Sequence, residues 1–139
     1  VGPGVLWTLD KAVYGLRESP FYWSEERDKQ LRALEWIVGT KTYVLKQCSS
    51  DSQVWVLKEK ENSTVLGLLV VYVDDFLLQT KSGTIRTAFL EKLGTVWTLD
   101  KEETLTPGHT IIFLGLELEM QANGDILLHQ EKFVTGILE

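Results

Sequence analysis

The stretch from residue 65 to residue 80 reads VLGLLVVYVDDFLLQT, two apolar runs interrupted by a pair of aspartates. The first run shows no alternation of polar and apolar side chains, which is typical of a strand buried on both faces. The second run resumes directly after Asp74 and Asp75. The simplest arrangement is a tight β-hairpin that carries both aspartates at its tip.

Two adjacent carboxylates between apolar strands are costly, because they repel each other and because partial burial disfavours both charges. A divalent cation relieves this cost, since Mg²⁺ takes carboxylate oxygens and leaves coordination positions for substrate phosphates. Asp74 and Asp75 are therefore candidate metal ligands. The alternative is that they only occupy an exposed turn, where aspartate is common. The dipeptide alone favours this alternative, because short motifs often match by chance.

The elements predicted on either side of this hairpin are helices separated by groups of strands. Ser19 at the N-cap and Pro20 at the first helical position predict a helix start, and Gly39 predicts its end. The further predictions are strands over residues 42–46 and 53–58, a helix over 82–93, a short strand over 96–99, strands over 110–120 and 125–129 around an Asn123-Gly124 type I′ turn, and a final helix. This order predicts one α+β domain over residues 1–139, with an antiparallel sheet backed by helices.

The composition is that of a folded protein without a basic surplus. Of the 139 residues, 44% are hydrophobic, and 14 Lys+Arg against 20 Asp+Glu give a formal net charge of -6. Free-standing nucleic-acid binders usually carry a basic face instead. Cys48 is the only cysteine, which favours an intracellular, reducing setting. The longest apolar run is too short to span a membrane, so no membrane association is expected.

Five segments of the chain carry a resemblance to a known family. In chain order they are KAVYGLRESP (residues 11–20), DSQVW (51–55), YVDD (72–75), FLGLEL (113–118) and ILLHQEKF (126–133). Each segment alone is weak evidence, whereas five in this order are specific. From about residue 7 to its end, the chain resembles the C-terminal part of the palm of Ty1/copia-type retrotransposon reverse transcriptases.

The resemblance implies a polymerase palm, a split β-α-β, ferredoxin-like fold, that lacks its first strand and the fingers. Four segments then have expected roles: residues 13–39 form the loop and helix at the nucleotide and template, 65–80 the catalytic hairpin, 110–129 a primer-grip-like hairpin, and 130–139 the start of the following helix. The implied activity is RNA-directed DNA polymerisation by two-metal nucleotidyl transfer. The implied partners are an RNA or DNA template-primer, deoxynucleoside triphosphates, and the fingers and upstream palm strand of a parent polyprotein.

The resemblance also implies roles for individual residues. Asp74 and Asp75 would be catalytic and would hold Mg²⁺, with Mn²⁺ as an alternative. The residues expected to bind substrate are Tyr72, Gly15, Ser19 and Pro20, and those expected to contact the primer are Phe113, Leu114 and Gly115. The tryptophans are expected to pack in the core rather than to stack on bases. These are Trp7, Trp23, Trp36, Trp55 and Trp97.

The sequence departs from a working polymerase in one respect. The family needs a third aspartate on an upstream strand, and Asp10 does not match it, because Asp10 directly precedes the KAVYGLRESP segment. We therefore expect the isolated chain to be inactive and, with a sheet edge exposed, to associate with itself. An alternative function is a non-catalytic domain of retroelement origin that acts in structure or protein binding. An RNA-binding module ranks last, because its open sheet face would carry aromatic and basic side chains, and these strands are mostly aliphatic.

Overall fold

The fold consists of helices and antiparallel strands, which is the α+β class. The computed structural model describes Gly15 and residues 17–139. The described elements are α1 (Ser19–Ala33), β1 (Glu35–Val38), β2 (Lys41–Gln47), β3 (Val54–Glu59), β4 (Val65–Tyr72), β5 (Asp75–Thr80), α2 (Gly83–Gly94), β6 (Thr110–Phe113), β7 (Leu116–Met120), β8 (Ile126–His129) and α3 (Glu131–Leu138). The predicted α+β class is confirmed, and the strands predicted over residues 42–46 and 53–58 correspond to β2 and β3.

Strands β1 to β5 form one antiparallel sheet, in which each strand pairs with the next along the chain. No crossover joins these strands, so the split β-α-β arrangement is not present in the part of the chain that the structure describes. Helix α1 packs on β2, and α2 packs on β1 and β5. The core between helices and sheet consists of large apolar side chains that are at most 6% exposed: Leu31, Leu34, Trp36, Tyr43, Leu45, Trp55, Leu57, Leu69, Val71, Phe89 and Leu93.

Helix α1 is shorter than predicted. Ser19 and Pro20 are its first two residues and Glu18 is the N-cap, so the start is displaced by one residue from the prediction. The helix ends at Ala33, and the segment predicted as its last turn is strand β1. Trp36 is buried against the rings of Tyr43 and Phe89, and this long-range packing overrides the helical spacing of the apolar residues. Gly39 (φ +64°) lies in the turn to β2.

Strands β4 and β5 form the predicted hairpin, but β4 is buried on one face only. Leu69 and Val71 face the helices and are fully buried, whereas Leu68 and Tyr72 on the opposite face are 42% and 43% exposed. The prediction of burial on both faces is therefore wrong, because α1 and α2 both pack on the side of Leu69 and Val71. Strand β4 pairs with β3 on one side and β5 on the other. Because both edges of β4 are occupied, an additional strand could not pair with β4.

Strands β6, β7 and β8 form a second antiparallel sheet, which corrects two predictions. The single strand predicted over residues 110–120 is broken by a two-residue loop at Leu114 and Gly115, both with positive φ (56° and 73°). The turn between β7 and β8 does contain Asn123 and Gly124, but only Gly124 has a positive φ, as in a type I turn followed by a left-handed residue.

The short strand predicted over residues 96–99 is irregular chain.

Helix α3 follows β8 and leaves its apolar side chains exposed. Phe133, Val134, Ile137 and Leu138 are all more than half exposed. The helix was predicted from this apolar spacing and is confirmed, although no described residue covers that face. None of the helices in the described part is long and apolar enough to span a membrane.

Candidate functional site

The tip of the β4–β5 hairpin carries the two aspartates singled out by the sequence. Tyr72 pairs with Asp75, so Val73 and Asp74 form a two-residue loop. Val73 has φ +53°, whereas Asp74 does not have a positive φ. A β-branched residue in this conformation is strained, at a cost of roughly 1–2 kcal/mol.

Both carboxylates are available to a ligand. Asp74 and Asp75 are exposed, and neither side chain makes a hydrogen bond or ion pair with another described residue. Two adjacent carboxylates without partners are suitable oxygen ligands for Mg²⁺ or Mn²⁺. No group of three or more His, Cys, Asp or Glu side chains in the described part could hold a metal ion. Asp10, which the resemblance does not match to the third ligand, lies outside the described residues.

Helix α1 holds the strained residue of the tip through its main-chain oxygen. The indole Nε1 of Trp23 donates to the carbonyl oxygen of Val73 at 2.9 Å, and Nη1 of Arg27 donates to the same oxygen at 3.0 Å. A hydrogen bond from a charged group contributes about 1.5–3 kcal/mol and a neutral one about 0.5–1.5 kcal/mol. Together these two bonds are large enough to offset the strain at Val73.

Arg27 is the centre of a part-buried polar network. The whole residue is 5% exposed, and its Nε and Nη2 both donate to Oδ1 of Asp28, at 3.0 and 2.8 Å. Gln47, the last residue of β2, donates from Nε2 to Oδ2 of Asp28 at 2.9 Å and to the carbonyl oxygen of Ser52 at 2.7 Å. The network therefore connects the hairpin tip to α1, to the end of β2 and to the loop before β3.

Aromatic packing supports the tip from the side of β5. The ring of Phe76, which follows Asp75 directly, lies 5.8 Å from the ring of Trp97 between centroids. Trp97 in turn makes an edge contact with Trp23 at 6.4 Å. Val73 and Phe76 flank the two aspartates, and each is held by a side chain outside the hairpin.

The residues predicted to bind substrate lie at the hairpin and at the start of α1. Tyr72 is half exposed beside Asp75 on the sheet face opposite the helices. Ser19 and Pro20 begin the helix whose next turn carries Trp23, and a helix rises about 1.5 Å per residue. Gly15 is exposed in the turn before the helix, with φ +92°, a conformation that favours glycine. The other residues of the predicted loop, 13, 14 and 16, lie outside the described residues.

The residues predicted to contact the primer form a separate turn. Phe113 ends β6, and Leu114 with Gly115 forms the loop to β7. No hydrogen bond, ion pair or ring contact joins this turn to the described part of the β4–β5 hairpin. Hence hydrogen bonds join the hairpin to α1, whereas no such contact joins the predicted primer-contacting residues to either of them in the described part.

Glu117, in the FLGLEL segment, has a structural role that the sequence did not reveal. It is 5% exposed, and its Oε2 accepts a hydrogen bond from the backbone N–H of Lys132 in the first turn of α3, at 2.9 Å. The Lys132 Nζ lies 3.7 Å from Oε1, and His129 Nδ1 lies 3.5 Å from Oε2. A carboxylate at the positive end of a helix is stabilising, so Glu117 links the FLGLEL and ILLHQEKF segments into one unit.

Trp23 and Arg27 were also missed as site residues. Trp36 and Trp55 are buried, as predicted for the tryptophans, whereas Trp23 is 36% exposed and uses its N–H at the tip. Trp7 lies outside the described residues. A signal for Arg27 was present in the sequence: it precedes Leu31 and Leu34 by four and seven residues, so a charge stands on the buried stripe of α1.

Comparisons with known proteins agree on one family. The family model described as reverse transcriptase (RNA-dependent DNA polymerase) matches residues 2–139. A transposon Ty5-1 protein of Saccharomyces cerevisiae is 24% identical over 134 residues, which cover 96% of this chain and 38% of that protein. A retrovirus-related Pol polyprotein from transposon RE1 of Arabidopsis thaliana is 25% identical over 136 residues, 98% of this chain and 8% of the polyprotein. The chain thus spans well under half the length of both relatives. No solved structure gives a significant match.

Proposed function

The chain belongs to the reverse transcriptase family of the Ty1/copia type, and from this premise we propose that it is the C-terminal part of a polymerase palm with residues 65–80 as the catalytic hairpin. Residues 13–39 contact the nucleotide and template, residues 110–129 contact the primer, and residues 130–139 begin the following helix. The proposed partners are an RNA or DNA template-primer, deoxynucleoside triphosphates, and the fingers and first palm strand of a parent polyprotein.

In the proposed reaction, the primer 3′-hydroxyl oxygen attacks the α-phosphorus of a deoxynucleoside triphosphate. A new oxygen–phosphorus bond forms, the bond to the bridging oxygen of the β-phosphate breaks, and pyrophosphate leaves. Asp74 and Asp75 supply the oxygens that hold Mg²⁺ or Mn²⁺. Divalent cations bound there would stabilise the attacking and leaving oxygens. Gly15 lets the backbone approach the nucleotide closely, and the start of α1 offers the positive end of a helix to phosphate.

One observation carries this proposal: the two carboxylates at the hairpin tip have no partner among the described residues. Asp in an ordinary turn commonly accepts a hydrogen bond from nearby backbone. Asp51 does so here, because its Oδ1 accepts from the N–H of Gln53 at 2.9 Å. Asp74 and Asp75 make no such bond, which supports a role as ligands rather than as turn formers.

Metal binding at the tip can be measured without polymerase activity. Mn²⁺ added to the ¹⁵N-labelled chain should broaden the amide signals of residues 73–76 first, because the bound ion relaxes nearby nuclei. Asp74→Asn should remove this selective broadening. Asp100→Asn is the matched control, since Asp100 is also exposed and makes no hydrogen bond or ion pair with another described residue. Selective broadening that survives Asp74→Asn would refute the proposed metal site.

We further propose that the isolated chain does not polymerise, because two carboxylates hold a hard cation weakly and leave most of its waters in place. A primer-extension assay with a template-primer and all four deoxynucleotides should show no product with Mg²⁺ or with Mn²⁺. Template-dependent product that disappears in Asp74→Asn would contradict this expectation.

A second candidate is a non-catalytic, retroelement-derived domain that binds protein. The exposed apolar side chains of α3 and β8 favour it, since Leu128, Phe133 and Ile137 are each 59% exposed or more. The Mn²⁺ experiment discriminates between the two candidates. A domain that only binds protein needs no cation at Asp74 and Asp75, so the absence of selective broadening would favour it.

A further inference from the structure

We infer that Trp23 and Arg27 are positioning residues, which hold the carbonyl of Val73 and thereby fix the direction in which Asp74 and Asp75 present their carboxylates. The inference rests on the proposed function, because the orientation of these side chains matters only if they bind a ligand. Trp23, Arg27 and Trp97 are called the tip clamp below.

The geometry of the peptide bond is the first step. The carbonyl of Val73 and the N–H of Asp74 belong to one rigid plane. A carbonyl oxygen has two lone pairs, and here Trp23 and Arg27 donate to the same oxygen at 2.9 and 3.0 Å. Because both donors come from α1, the plane that leads into Asp74 is tied to the helix and cannot rotate freely about the turn.

The rigidity of the donors is the second step. Arg27 is almost fully buried, and its Nε and Nη2 both donate to the same carboxylate oxygen of Asp28, Oδ1. The guanidinium is planar, so the two bonds to Asp28 and the bond to Val73 together fix the direction of Nη1. Trp23 is held by the edge contact with Trp97. The two donors are therefore held in place by contacts outside the hairpin, and their positions do not depend on its conformation.

The third step concerns the other side of the aspartates. Trp97 also packs on Phe76, the residue directly after Asp75. The tip clamp thus holds the residue before the acidic pair by hydrogen bonds and the residue after it by ring packing. Metal sites need such supporting contacts, because a first layer of ligands that is free to move binds more weakly.

A purely structural role would be different: the same contacts would only join α1 to the sheet. The two roles can be separated, because the chain contains a tryptophan with an idle N–H. Trp36 is 5% exposed, and its Nε1 has no hydrogen-bond partner among the described residues. Trp36→Phe therefore removes an indole N–H and core volume without touching the hairpin tip, whereas Trp23→Phe keeps an aromatic ring and removes a donor to Val73.

The experiment measures three quantities for each variant: the ¹³C shift of the Val73 carbonyl, the apparent Mn²⁺ affinity from broadening of the Asp74 and Asp75 amides, and the Tm. Trp23→Phe should move the carbonyl signal and weaken Mn²⁺ binding by about three- to tenfold, the factor that corresponds to one lost hydrogen bond. Arg27→Lys keeps the charge, but a single ammonium nitrogen cannot reproduce the planar set of bonds to Val73 and Asp28, so its loss of affinity should be partial. Trp36→Phe should lower the Tm more than Trp23→Phe and leave the other two quantities unchanged.

Each remaining outcome overturns the inference. An unchanged Val73 carbonyl shift in Trp23→Phe would mean that the hydrogen bond does not form. A changed shift with unchanged Mn²⁺ affinity would mean that the bond has no positioning role, although the proposed function would still stand. Weaker Mn²⁺ binding in Trp36→Phe, in proportion to its Tm, would assign the effect to stability alone. If Asp74→Asn leaves Mn²⁺ binding intact, the proposed function fails and the inference fails with it.

Discussion

Gly67 in β4 provides a sharp test of the geometry of the hairpin. An added Cβ at this position would overlap the main-chain oxygen of Gln79 in β5 and approach Thr80 at 3.2 Å. The obstacle is backbone, so no side-chain rotation relieves it, and β5 must move away from β4. Overpacking of this kind costs typically 1–3 kcal/mol, and we expect Gly67→Ala to lie near the upper end, at about 2–3 kcal/mol.

The loss should be visible in thermal unfolding. A chain of this size loses roughly 3–4 °C in Tm for each kcal/mol, so Gly67→Ala should melt about 6–12 °C below the parent chain. Gly94→Ala is the matched control, because Gly94 is helical and a Cβ there would meet nothing within 4 Å. That control should be neutral or slightly stabilising, since alanine is the better helix former. If both variants melt within about 2 °C of the parent, the close approach of β4 and β5 does not exist.

Three further predictions concern the polar contacts and the exposed apolar surface. Arg27→Met should lower the free energy of unfolding by about 3–5 kcal/mol in chemical denaturation, because it leaves Asp28 part-buried without its guanidinium, and a loss below about 1 kcal/mol would contradict this. Glu117→Gln should destabilise the start of α3 by about 1 kcal/mol. Amide exchange should then be faster over α3 and unchanged in α2. Unchanged exchange in α3 would show that the contact to Lys132 does not stabilise the helix. The chain should associate with itself at high concentration, because α3 and β8 expose apolar side chains, and a clean monomer by sedimentation would count against that.

Local signals in the sequence were sufficient for the hairpin and for α2. Ser82 was predicted at the start of α2 and is its N-cap, and its hydroxyl accepts the N–H of Ile85. The helix was predicted to end at residue 93, and its last residue is Gly94. The acidic pair was placed at the hairpin tip because an apolar strand cannot continue through two adjacent carboxylates. In each case residues close in sequence decide the structure.

The errors occur where distant residues decide. The apolar spacing before Gly39 fits a helix, but Trp36 is buried only when β1 pairs with β2, and that pairing cannot be read from the segment itself. Leu114 takes a positive φ that its residue type disfavours, so only the ladder between β6 and β7 reveals the turn. The contacts of Trp23 and Arg27 with Val73 join residues 50 and 46 positions apart.

The consecutive pairing of β1 to β5 has a consequence for the order of events during folding. Each ladder closes a short loop, and sheets built from neighbours in sequence have low contact order and form quickly. The hydrogen bonds from Trp23 and Arg27 join α1, which precedes this sheet, to Val73, which follows β4. They can therefore form only after the strands between them have assembled. We therefore expect the two aspartates to acquire their final orientation in the last kinetic phase, after the sheet that carries them is already native.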